Sequence, residues 1–226
     1  PFQRSFIIPE AHIGLLYRDQ QFQRILKPGT HRFTSWNTQY TVQNYELSGT
    51  LKPIQQETLL DLIERYPTEF KEYVITWATA TNEVGLVYQN QVIKDILPPS
   101  RQGAYWKPNK PIDIQLTDIS AEFALPANLA RVLLSARDPI LLKTASNAIT
   151  STQIPEGHTG FLEVDGQNHG VLTQGVYAWW SFNRRFAIKQ MDLRLQNMEI
   201  NGQEILTKDR VSLRINLSAT WQITDA

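Results

Sequence analysis

Histidine and the acids near it are the first residues in this sequence that could do chemistry. His12 and His158 each follow a Pro-Glu step, in PEAH at 9–12 and PEGH at 155–158. Around the second, Glu156, His158, Asp165 and His169 are of the types that ligate a divalent ion or share a proton. Duplication argues against that use, because a catalytic group has no reason to be copied together with its scaffold. A histidine at the same place in two copies reads instead as part of a strand's start. Strand alternation agrees, since the odd separation of His158 and Asp165 does not place them on one face. There is no G-x-S-x-G, no H-E-x-x-H and no phosphate-cradling glycine loop. No catalytic, metal-ligating or cofactor-binding residue is therefore assigned, and the chain reads as non-enzymatic. A hydrolase with a spatially assembled site around His158 is the enzymatic alternative.

Surface chemistry offers two further candidates. Arg184 and Arg185 follow the aromatic run Tyr177, Trp179, Trp180 and Phe182. Trp180, Phe182, Arg184 and Arg185 form a candidate contact with a protein partner or a membrane surface, aromatics at headgroup depth and arginines on phosphate. Trp179 is expected in the core. The second candidate is the polar set Arg214, Asn216, Ser218, Thr220 and Gln222, which alternates with apolar residues. It is either solvated or used in packing subunits through an exposed strand edge.

Composition narrows the classes. The 226 residues hold 22 basic and 22 acidic side chains and no cysteine. Thiol catalysis, disulfide frameworks, iron–sulfur clusters and cysteine-based zinc knuckles are excluded. Cut at 79 and 150, no segment departs from neutrality by more than one charge. That argues against nucleic acid, whose binding needs a one-sided basic field, and against a polybasic membrane patch. The longest apolar stretch, Tyr73–Ala80, falls far short of the roughly 20 residues that cross a bilayer. No signal-peptide pattern opens the chain, and Pro1 in place of Met reads as a processed or trimmed end. Lack of cysteine suits cytosol and periplasm equally. The chain is read as cytoplasmic, with peripheral membrane contact left open.

Self-similarity sets the organisation. IPEAHIG at 8–14 returns as IPEGHTG at 154–160, and the register continues through Asp19/Asp165, Leu26/Leu172, Gly29/Gly175 and Phe33/Trp179. A weaker copy lies between, GLLYRDQQFQRIL at 14–26 aligning with GLVYQNQVIKDIL at 85–97. Each copy reads as a hairpin, with turns at Asp19-Gln20, Asn90-Gln91 and Asp165-Gly166; the last is a good type I′ signal. Extended runs follow at 40–49, 111–123 and 186–200. Apolar residues at helical spacing place helices over 57–65 and 128–136, each stopped before a proline. Second helices are expected over 68–76 and 139–148. Finally, Val211, Leu213, Ile215, Leu217, Ala219, Trp221 and Ile223 alternate with polar residues, which predicts a long strand with one buried and one wet face.

The run GQEILTKDRVSLRINLSATWQITD at 202–225 resembles the stomatin/prohibitin/flotillin (SPFH, band-7) superfamily, closest to bacterial slipins. The opening IPEGHTGFLEVDG and the Gly175 turn fit the start of such a domain. The resemblance implies a mixed α/β domain that packs beside copies of itself at membranes. It also implies long C-terminal helices and a regulatory role, often beside a membrane protease.

The expected fold class is α+β: tandem β-rich modules of hairpin plus strand with short helices between them, the last an SPFH/band-7-like module truncated before its helices. The boundaries are 1–79 and 80–150, each a module with a helix pair, and 151–226. The expected function is a scaffold subunit of a slipin-like assembly. The expected partners are other copies of itself, in a longer form, and a membrane protease.

Overall fold

The computed structural model describes residues 2–225. The chain divides between Ser120 and Ala121 into two compact units. One pairing plan of five antiparallel strands occurs three times. In the first module, β1 (Phe2–Ile8) pairs with β4 (Gly29–Ser35), while β2 (His12–Arg18) lies between β3 (Gln21–Leu26) and β5 (Tyr40–Glu46). A linker follows, made of β6 (Lys52–Pro53), α1 (Glu57–Arg65) and α2 (Pro67–Phe70). In the second module β7 (Val74–Ala78) pairs with β10 (Gln102–Trp106), and β8 (Glu83–Gln89) lies between β9 (Val92–Leu97) and β11 (Ile112–Asp118).

The second unit begins with α3 (Ala127–Leu134) and α4 (Pro139–Ala148). Then β12 (Ile149–Ile154) pairs with β15 (Gly175–Trp180), and β13 (His158–Val164) lies between β14 (Gln167–Leu172) and β16 (Phe186–Asp192). The chain ends in a two-stranded ribbon, β17 (Gln196–Leu206) against β18 (Ser212–Trp221).

The local chemistry explains the elements. Both central residues of each hairpin turn have positive φ: Asp19 and Gln20, Asn90 and Gln91, Asp165 and Gly166. This is the type I′ geometry whose twist matches the flanking strands. The α4 helix starts at Asp138, whose carboxylate accepts from the backbone N–H groups of Ile140 and Leu141, with Pro139 in the first turn.

Each module buries the same positions. Leu16, Leu26 and Phe33 pack together in the first, Val87, Leu97 and Tyr105 in the second, and Leu162, Leu172 and Trp179 in the third. Gly14, Gly85 and Gly160 hold equivalent places on β2, β8 and β13. At Gly85 a Cβ would come within 3.0 Å of the Cβ of Leu97, so a larger residue would overfill that core.

The expected hairpin plus strand is present in each module as a three-stranded sheet, and the structure adds a pair, because the first and fourth strands of the module join across the hairpin between them. Two expectations need correction. The helix expected over 68–76 ends at Phe70 and gives way to β7 from Val74, where β-branched Val74, Ile75 and Thr76 favour a strand. The run expected over 186–200 breaks between Asp192 and Gln196.

The second core holds a buried acid. The Tyr105 hydroxyl donates to Asp95 Oδ2 at 2.5 Å, and the Ile96 N–H donates to Oδ1 at 2.8 Å. Burial pushes the Tyr105 phenol well above its ordinary range, and the Asp95 charge adds to the shift. Tyr105→Phe removes one donor from a buried carboxylate and is expected to lower stability by about 1–3 kcal/mol in urea unfolding.

Candidate functional site

The structure separates the proposed histidine–acid cluster. His158 opens β13, and its Nδ1 lies 3.2 Å from the Glu156 carbonyl oxygen. His12 makes the same contact with the Glu10 carbonyl at 2.9 Å. Asp165 sits beyond the far end of the same strand, and His169 lies edge-on to Phe123. Among the described residues no group of three or more His, Asp or Glu is placed to hold a metal ion.

His158 meets a different acid, one the sequence argument missed. Asp192 Oδ2 is 3.9 Å from His158 Nε2, because the two residues pair across β13 and β16. His12 and Glu46 pair in the same way across β2 and β5. The shared register of the two copies was the available signal. Arg194 grips Asp192 through Nε at 2.9 Å and Nη2 at 2.7 Å, and its backbone N–H donates as well. These bonds hold the Asp192 carboxyl well below the usual carboxylate range, chiefly through the Arg194 side chain.

Asp165 has a positional role. Its carboxylate accepts from the Arg185 N–H at 2.8 Å, and its own N–H donates to the Arg185 carbonyl at 2.9 Å. Asp19 and Gln39 make the matching pair of bonds in the first module. The turn acid thus fixes the loop that carries Phe182, Arg184 and Arg185.

That loop is less open than its composition suggests. Trp180 is only 4% exposed, so it belongs to the interior with Trp179 and offers no contact surface. Phe182 is half-buried and stacks on Trp180 at 6.5 Å between ring centroids. The Arg184 guanidinium lies 4.4 Å above the Phe123 ring. Arg185 is exposed. In the first module the residue equivalent to Phe182 is Trp36, which is 82% exposed.

A cleft of about 480 Å³ lies between α1 and the β7–β10 pair. Glu57, Asp61 and Glu64 rim it, and Leu60, Trp77 and Ala104 contribute apolar lining. Sequence reasoning gave no sign of it, since it depends on the unforeseen pairing of β7 with β10.

The polar set on β18 spends much of its hydrogen bonding inside the ribbon. Asn216 Oδ1 accepts from the Gly202 N–H, Thr220 donates to Asn197, and Gln222 donates to the Leu193 carbonyl. Arg214 stands opposite Glu204, and Ser218 opposite Glu199. The alternation of β18 is as expected, but the buried face is not: Leu213, Leu217 and Trp221 on the apolar side are all exposed. A two-stranded ribbon supplies no layer to cover them.

The terminal segment can be placed by comparison. Residues 152–226 match the SPFH domain / Band 7 family. The match begins within β12 and runs through the third module and the ribbon. No curated protein and no solved structure matches the chain. In the SPFH/band-7 segment, then, the features that stand out are the tethered 181–185 loop and the ribbon. No helix among the described residues is long and apolar enough to cross a membrane.

Two outcomes follow from the acids. Asp165→Ala should cost about 1–2 kcal/mol in urea unfolding, by losing the Arg185 bond and placing alanine at positive φ, while Asp165→Asn should cost less. Asp192, followed by NMR, should stay ionised as pH falls through the ordinary carboxylate range. A depressed folded-state pKa stabilises the fold above that range, and the contribution is lost as pH falls below it. Arg194→Gln should return the Asp192 titration towards ordinary values.

Proposed function

We propose that the chain is a non-enzymatic scaffold subunit of a slipin-like homo-oligomeric assembly. The match of residues 152–226 to the SPFH/band-7 family carries this reading. The tandem modules support it, because a small β-rich module rarely buries enough surface alone and gains stability from neighbours. The regulatory role beside a membrane protease would use the same surfaces, with the protease as a second kind of partner. Cross-linking of the natural gene product in its own cells, read by mass, tests the reading. Ladders of the same chain are expected, with or without a protease band. A product that stays monomeric under conditions that cross-link a known oligomer would overturn it.

A further inference from the structure

We infer that the cleft between α1 and the β7–β10 pair docks a short extended segment of a partner protein in which lysine or arginine alternates with apolar residues. The inference goes beyond the scaffold reading and does not rest on it. The cleft lies wholly in the first unit, outside residues 152–226.

The lining is apolar and in part aromatic. Leu60 and Ile63 of α1 and Ala104 of β10 contribute to it, and Trp77 adds the largest side chain. Trp77 stands opposite Gly103 across the strand pair. A Cβ on Gly103 would come within 2.7 Å of the indole Cζ2 and 2.9 Å of Cε2, so the ring lies against bare backbone that any other residue would obstruct. The glycine thus leaves room for the indole to reach the cleft.

The rim is acidic. Glu57, Asp61 and Glu64 stand at spacings of four and three residues, which places them along one face of α1. All three are exposed, and among the described residues no ion pair engages them. Their mutual repulsion works against the helix, and Glu64 lies in its last turn, where the dipole disfavours an acid. Residues 57–69 hold four acids against the single base Arg65, in a chain that is neutral as a whole. A cation in the cleft relieves this field, and its stem can cover the apolar lining of α1.

The strand edge selects an extended segment over a lone cation. The Ala104 carbonyl accepts from the Ile54 N–H, so the even-numbered residues of β10 turn their backbone groups to the β6 edge. There β6 pairs only with Tyr105 and Trp106. Gln102, which lines the cleft, therefore turns its N–H and C=O to an edge with no strand opposite. An added segment takes main-chain bonds from such an edge. The two faces of the sheet then read its side chains separately. Ala104 packs with Ile63 of α1, whereas Trp77 packs with Tyr105 on the other face. Alternate residues of the segment thus meet the acids of α1 and the indole. Alternate residues of a strand are also about 6.6 Å apart, close to the roughly 6 Å rise between Glu57 and Asp61.

The probe is fluorescein-labelled Gly-Lys-Leu-Lys-Leu-Lys-Gly, read by anisotropy against the chain. A dissociation constant of about 10–100 µM is expected, as for a small interface. Combining Glu57→Gln, Asp61→Asn and Glu64→Gln should weaken binding at least about ten-fold, with circular dichroism unchanged. Glu69→Gln with Glu72→Gln, acids outside the lining, should leave it within about two-fold. The peptide with glycine in place of leucine should bind at least about five-fold more weakly. Equal loss in the two variants, or equal binding of the glycine peptide, overturns the docking and assigns the attraction to general charge. Spermine binding as tightly as the peptide overturns the protein partner in favour of a free polyamine. Absence of peptide binding up to about 1 mM overturns the site itself. None of these results bears on assembly, which the cellular cross-linking decides.

Discussion

Phe70 is fully buried at the meeting point of two modules, and the first unit depends on what surrounds it. Its core joins Ile13, Leu15 and Phe22 of the first module to Leu59 and Ile63 of α1 and to Val74 and Ala104 of the second. The Phe22 ring stacks on Phe70 at 5.8 Å. Burying large apolar side chains contributes about 1.5–3 kcal/mol each. Neither the first hairpin nor the β7–β10 pair could collect those contacts alone. The linker is therefore structural filling, and β6 strengthens it by pairing Pro53 with Tyr105 and Lys52 with Trp106. In the second unit Ala124 bridges to Trp179, the residue equivalent to Tyr105. Each linker crosses to the fourth strand of the module that follows it.

This arrangement explains which parts were legible in the sequence. Hairpins show in local periodicity and turn chemistry, so β2–β3, β8–β9 and β13–β14 could be read from the residues. The first and fourth strands pair across an intervening hairpin, and β4 (GTHRFTS) carries little apolar alternation. Its strand character comes from its partner. The error over 68–76 has the same source, since Pro67 starts a helix of only four residues and, after a turn at 71–73, β7 takes its strand form from pairing with β10. The SPFH/band-7 resemblance was legible because its motif lies in one continuous run.

Equivalent positions have diverged in chemistry and in burial: Arg24 and Gly170 are exposed where Asp95 is buried. Arg24 lies 6.0 Å from the Phe33 ring centroid in the first module. In the second, the corresponding residues are Asp95 and Tyr105, joined by a buried hydrogen bond. In the third they are Gly170 and Trp179, and Trp179 stacks on Phe186 at 5.6 Å as Phe33 stacks on the equivalent Tyr40 at 5.0 Å in the first. The ring-on-ring contact is kept in these two modules, while the neighbouring position changes from arginine to aspartate to glycine in charge, size and burial. Residue type at that position is therefore a poor guide to function.

The candidate surfaces teach the converse. Period-two alternation states which side of β18 is apolar, but burial requires a second layer, and the residues of the strand cannot specify one. By sequence the polar side reads as either solvated or a packing surface, the latter because a long strand near an edge offers unpaired N–H and C=O groups. In the structure Asn216, Thr220 and Gln222 have their bonds met within the ribbon or by the segment leading into it. Those groups gain little by exchanging one partner for another, since the net worth of a hydrogen bond is the difference between the two. Water gains most when the apolar side is covered. The tethered loop follows the same logic: Trp180 has left the surface and Arg184 lies over Phe123, so its strongest contact groups are already engaged within the molecule. The ribbon thus shows its alternation without the layer that would bury its apolar side, and the residues of the strand alone do not say what that layer is.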